Sequence, residues 1–391
     1  MLYQYHYKCN YFRQDDEDVL DKFTIITPVW GTNHIELFLR ICIPSLLAKD
    51  NLPTLSSLSK VNYLVYTLAE DVIVIEGSET FQRLKQTIDV ELISFSRDTE
   101  IYHHAMTWCH QQGFKRAVQD RSYAVFIPPD CIWNNRFLLS LYNIVSKGFK
   151  IIQMSGLRVI KEQFCDALHK KYGTNLDLES GNLVDVALRF LHPITESHFF
   201  DERQGRLLPA NLLWSVGDNC ILARNFHLHP ILVDAIGLDI NFDSTIDDDL
   251  ALVFNSRNSE EYIVTDSDEL VTFEISPLQY SMSQACDKGN IFGVASWAEY
   301  NTNSRHRVFI KTSILIHAGP IDHISLSLIT KKSDNVVTKI VNILESRKNL
   351  KFNINKFFTL RFKPLLRHKL NTIIQKLVAL KKNFLSQHFY R

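Results

Sequence analysis

The sequence is poor in the residues that punctuate or cross-link a chain. It has 13 glycines and 11 prolines in 391 residues, which excludes a collagen-like or low-complexity chain. Its seven cysteines (Cys9, Cys42, Cys109, Cys131, Cys165, Cys220 and Cys286) are scattered, and no two are spaced as C-x-x-C. A zinc ribbon is therefore not expected, and the odd count fits reduced thiols used as small core residues. No run approaches the roughly 18 apolar residues of a membrane-spanning helix. The opening MLYQYHYKCN lacks the apolar stretch of a secretory signal, so a cytoplasmic protein is the expectation. The signatures GxSxG, GxxxxGKS/T and HExxH are also missing.

What is present is ordinary globular material, 46% hydrophobic and 22% charged. A chain of this length can bury a large core, as one big domain or one domain with an appendage. The net charge of zero conceals an asymmetry. Residues 331–391 hold 15 Lys+Arg against 2 Asp+Glu, leaving 28 against 41 for residues 1–330. An acidic body disfavours a nucleic-acid partner, and the basic tail needs an explanation of its own.

After a polar lead-in over 1–22, with the acidic run Asp15-Asp16-Glu17-Asp18, a rhythm begins. Segments 23–30, 61–68, 90–95, 123–127 and 149–154 are short, apolar and β-branched, and read as strands. Helix-length segments separate them, one of them capped by Asn33 and running to Leu47. Alternation of this kind predicts an α/β fold with a mostly parallel, Rossmann-type sheet flanked by helices. Ligands then bind beyond the carboxyl ends of the strands. Further on, 160–192 reads as helical, 213–223 as extended, 262–275 as one or two strands and 278–306 as loop.

Several residue groups can carry chemistry, and each has a plainer reading. Thr27-Pro28-Val29-Trp30-Gly31 ends the first strand; it offers backbone amides and an aromatic plane to a nucleotide, or is a tight turn. Asp130, after the fourth strand, can hold a divalent cation on a diphosphate, or simply starts a helix. Asp247-Asp248-Asp249 can serve a cation or a general base, or decorate a helix N-terminus. His227 and His229, two apart in an extended segment, can join a metal site or be structural. His103, His104 and His110 read as surface or lining residues.

Taken together, a first strand ending in PVWG, four β–α steps, an acid after the fourth strand and an acidic pair opening a helix resemble the GT-A glycosyltransferases. The segment FTIITPVWGTNHIELFLRICIPSLLAKDNLP is similar to bacterial proteins of surface-polysaccharide and glycan biosynthesis. The likeness covers about 23–275, within a GT-A-like domain at 23–330. It implies that Pro28, Trp30 and Gly31 lie against the base and ribose of a nucleotide-sugar donor. It further implies that Asp130 holds Mn2+ or Mg2+ with His229 completing the shell, and that Asp248, or else Asp247, is the catalytic base. The family motif has two acids, Asp-x-Asp, whereas Pro129-Asp130-Cys131 has one, which puts metal dependence in question.

The tail over 336–391 sets Lys and Arg among large apolar side chains at helical spacing, broken near Pro364. A basic amphipathic segment of this sort can lie on anionic lipid at the inner membrane face, or pack on the acidic body. The expected activity is sugar transfer to a glycan or lipid-linked acceptor. A non-catalytic scaffold of the same fold and a nucleotidyltransferase remain as alternatives.

Overall fold

The computed structural model describes residues 22–96, 104–201, 209–253, 260–280 and 290–361, with only the backbone of 251–253 and 349–361. The polar lead-in up to residue 21, His103, and the turn placed at Pro364 lie outside the described residues. The strands are β1 Lys22–Pro28, β2 Lys60–Leu68, β3 Asp89–Phe95, β4 Tyr123–Phe126, β5 Cys131–Trp133, β6 Ile151–Met154 and β7 Leu157–Ile160. They continue with β8 Asn211–Ser215, β9 Cys220–Asn225, β10 His229–Asp234, β11 Glu261–Ile263, β12 Thr272–Ser276 and β13 Ile314–His317.

Seven strands form the main sheet in the order β11-β6-β10-β4-β1-β2-β3. All pairings are parallel except those of β10, which runs against both its neighbours. This is a mostly parallel α/β sheet, and its central strands are buried on both faces, as a parallel sheet requires. Successive residues of one strand therefore feed different cores. Phe23 and Ile25 of β1 pack with Tyr63 and Val125 on one face, while Ile26 packs with Leu64 and Phe126 on the other. Two threonines survive inside this apolar strand because each is satisfied. Thr24 Oγ1 meets Ser122 Oγ at 2.7 Å, and Thr27 Oγ1 donates to the Ile127 carbonyl at 2.8 Å.

The helix Ala105–Gln119 lies so close to β1 that a Cβ on Gly113 would sit 2.7 Å from the Ile26 side chain. The predicted helix over 33–47 forms, but with a π-helical turn at Phe38–Cys42. Pro44 has no N–H to give the carbonyl four residues back, and the Ile43 N–H bonds Phe38, five back.

Two smaller sheets accompany the main one among the described residues: β5-β12-β7, and the antiparallel β13-β9-β8. The stretch read as loop contains a helix at Ile291–Asn301. A helix at His323–Arg361 runs straight through residue 331, where the sequence suggested a boundary. Its Val336, Val337, Ile340 and Leu344 are buried against Trp214, Leu222 and Val294. Ion pairs reinforce the docking: Arg224 with Asp334, Lys332 with Asp201 at 2.7 Å and Arg347 with Glu299 at 3.2 Å. The beginning of the basic tail is thus part of the body. Among the described residues no helix is long and apolar enough to cross a membrane.

Candidate active site

A cavity of about 640 Å3 opens at the carboxyl edge of the main sheet. Pro28 ends β1 and Trp30 follows it, Phe126 ends β4, Met154 ends β6, and all four line it. His229 joins them from the start of β10, because an antiparallel strand presents its amino end at this edge. Trp30 stands in the wall with its ring edge-on to Phe95, centroids 5.7 Å apart. Asp130 and Asp247, more than a hundred positions apart in sequence, both face this space. Gly31 does not line it: it takes φ 78° and gives its N–H to Asp71 Oδ2 at 2.9 Å.

Asp130 lies in the turn between β4 and β5. Strand β12 pairs with β5, setting Glu274 opposite Cys131, and the Ile275 N–H donates to the Asp130 carbonyl at 2.8 Å. The register therefore brings Glu274 beside Asp130, and both line the cavity. Burial pushes the Asp130 carboxyl up, with His34 and Arg158 opposing. Burial and the neighbouring Asp130 charge raise Glu274 to about 7. Arg158 of β7 ion-pairs with Glu274 and donates to Ser276 Oγ at 2.8 Å. The missing second acid of the Asp130 turn is thus matched in space by Glu274, 144 positions later. Its sequence signal was a single charge within the otherwise uncharged strand TFEIS.

The three consecutive aspartates go three ways. Asp247 Oδ1 lies 3.4 Å from His229 Nδ1. Burial lifts the Asp247 carboxyl, but the His229 imidazole outweighs it and holds the group below the usual carboxylate range. His229 is conversely raised: burial lowers it and Asp247 more than compensates. Its Nε2 faces the Phe126 carbonyl at 3.1 Å, so both ring nitrogens are engaged inside the protein. His229 is consequently an orienting partner of Asp247 here rather than an open metal ligand. Asp248 turns from the cavity toward His227 and His306. Asp249 accepts the Asp243 and Ser244 N–H groups, each at 2.9 Å, and closes its own loop. His110 lines the cavity; burial, then the His229 charge, lowers it to about 3 and keeps it neutral.

The oxygen donors that fit a hard divalent cation are Asp130 and Glu274, carboxylates recessed in one wall. A cation held by Asp130 and Glu274 would relieve the mutual repulsion of these neighbouring carboxylates.

No family model matches the chain, and no curated protein matches it. Solved structures do. A mannosyltransferase from Pyrobaculum calidifontis, in complex with GDP-Man and Mn2+, is 12% identical, with 93% of this chain and 86% of that one covered and a TM-score of 0.33. Mouse xyloside xylosyltransferase 1, apo form, is 12% identical over 38% of this chain and 58% of that one, TM-score 0.25. A Bacillus anthracis protein described as a glucose-1-phosphate thymidylyltransferase, in complex with sucrose, is 12% identical over 37% and 57%, TM-score 0.23. The chain spans less than two thirds of the length of these last two. At such scores the likenesses bear on neither donor nor acceptor.

Proposed function

We propose that this chain is a glycosyltransferase using a nucleotide-sugar donor. One observation carries the reading: Pro28, Trp30, Asp130, Glu274 and Asp247 share a single cavity at the carboxyl edge of the sheet. The base and ribose would lie against Pro28 and Trp30. Mn2+ or Mg2+ held by Asp130 and Glu274 would supply charge neutralisation for the departing diphosphate. Asp247, kept ionised by His229, takes the proton of an acceptor hydroxyl. The hydroxyl oxygen bonds to the anomeric carbon as the bond from that carbon to the diphosphate breaks, and the nucleoside diphosphate leaves. His229 sets the direction in which Asp247 points, at some expense of its basicity.

The acceptor we infer is a glycan or lipid-linked saccharide of surface-polysaccharide synthesis, reached from the inner membrane face. Thermal shift with UDP-, GDP- and CDP-sugars, with and without Mn2+, tests the donor reading. A rise of the melting temperature with one nucleotide, enhanced by Mn2+ and lost in Asp130→Asn, is expected. No response to any of them would leave the non-catalytic scaffold as the better account.

We further propose that the basic tail beyond the docked turns contacts anionic lipid. Ile324 and Leu328, exposed on the same helix, offer additional apolar surface. Deleting 336–391 would strip buried Val336, Ile340 and Leu344 from the core, so the informative truncation removes 349–391. It should move the protein from sedimenting vesicles containing phosphatidylserine to the supernatant. Unchanged co-sedimentation would end the idea.

A further inference from the structure

Beside the cavity, three chain segments meet around a second group of ligand-type side chains. His227 comes from the turn after β9, Asp248 from the first turn of the helix Ile246–Val253, and His306 from the short helix His306–Phe309. One ligand-type atom from each lies within 4.8 Å of the others. Asp248 Oδ1 is 3.6 Å from His306 Nε2 and 3.9 Å from His227 Nδ1. The two imidazole centroids are 4.1 Å apart.

These separations are too long for hydrogen bonds. They are close to the roughly 3.4 Å between two ligands that share a tetrahedral cation at bond lengths of about 2.1 Å. His306 is 1% exposed, and its Nε2 makes only long contacts among the described residues, 3.5 Å each to the Asn303 side-chain amide and the Asp247 carbonyl. A buried ring nitrogen aimed at a carboxylate across such a gap points to a missing occupant.

The other group of this kind among the described residues, Asp266, Asp268 and His317, leaves no such gap. His317 Nδ1 bonds the Gly319 carbonyl at 2.8 Å and its Nε2 sits 3.0 Å from Asp266. Ordinary hydrogen bonds already close it.

We propose that His227, Asp248 and His306 bind a divalent transition metal, zinc being the best match, with a fourth position open to water. Two imidazoles and one carboxylate select zinc or cobalt over Mg2+ and Ca2+, which prefer oxygen. Ligation through His306 Nε2 places the ring proton on Nδ1. It opens the contact of Nδ1 with the Asn303 N–H, which is already long at 3.3 Å. The metal ties the three segments together. It also fixes the helical turn that carries Asp247, one residue from Asp248. The site stands whether or not the cavity transfers sugar.

The test uses the full chain, stripped with chelator and titrated with Zn2+ by calorimetry and with Co2+ by visible absorption. One equivalent of Zn2+ should bind, raise the melting temperature and be released by EDTA, and Co2+ should give the intense bands of a four-coordinate nitrogen–oxygen set. His227→Asn and Asp248→Asn, at partly exposed positions, should each weaken Zn2+ at least tenfold. His317→Asn should bind it as the wild type does. Absence of binding, an all-oxygen six-coordinate cobalt spectrum, or undiminished binding by both His227→Asn and Asp248→Asn would overturn the proposal. Loss of binding in His317→Asn alone would move the metal to the other cluster and overturn it equally.

Discussion

Asp247 and Asp248 are neighbours in the chain, and each has a histidine for company. Asp247 faces the cavity and is closed against His229 at 3.4 Å, in a pair that shifts both groups toward their charged forms. Asp248 faces His227 and His306 across 3.9 Å and 3.6 Å, and burial holds both those rings toward neutrality, His306 at about 4. The helix separates them by rotation: one residue turns the side chain by about 100°. One acid is therefore preorganised as a charged group in the cavity, and the other sits in a set of neutral nitrogens suited to a metal. Adjacency in sequence, which made the pair look interchangeable, says nothing about which side of the helix meets which wall.

Turnover should separate the two most sharply. With the donor identified by the nucleotide screen, Asp247→Asn is expected to lower kcat by about 10²–10⁴-fold, the usual range for loss of a general base. Asp248→Asn should lose at least tenfold less. Equal losses, or a larger loss at Asp248, would break the distinction and return the base to Asp248.

A smaller effect lies in the pH dependence of stability, measured by denaturant unfolding in chelator. His306 has a folded pKa below its unfolded value of about 6.5, so between about pH 4 and 6.5 the unfolded chain binds more protons and stability falls as pH falls. His306→Gln should flatten that acid-side slope by up to about 1.4 kcal/mol per pH unit. His229 has the opposite sign. Its raised folded pKa contributes stability that is complete below about 6.5 and lost as pH rises through the folded value. His229→Gln should remove a decline on the alkaline side. Slopes of the same sign for both variants would show that the two histidines share one environment.

Much of this architecture is legible in the chain. The five segments up to 154 became β1, β2, β3, β4 and β6; all but the part-exposed edge strand β3 are mostly buried, and a strand buried on both faces must be largely apolar. Asp130 and Pro28 were legible for the same reason, as polar or rigid residues punctuating strand ends. Glu274 and Arg158 were not, since their chemistry depends on β12 pairing with β5 and β7 across long loops. His229 looked like a ligand because period-two spacing shows which side a residue faces, but not that Phe126 and Asp247 wait there. The tail over 331–391 looked separate by charge, and charge does not reveal that Val336, Ile340 and Leu344 make one face of it apolar toward Trp214.

By itself the sequence determined the α/β alternation, the parallel run of early strands and the acids at their ends, since hydrophobic period and strand-end chemistry are local properties. Only the tertiary structure decided that β10 reverses direction, that Glu274 reaches Asp130, and that Asp247 and Asp248 part company. Those outcomes depend on which distant segments pack together, and packing is settled by complementary shape and burial across the whole chain, not by any window of it.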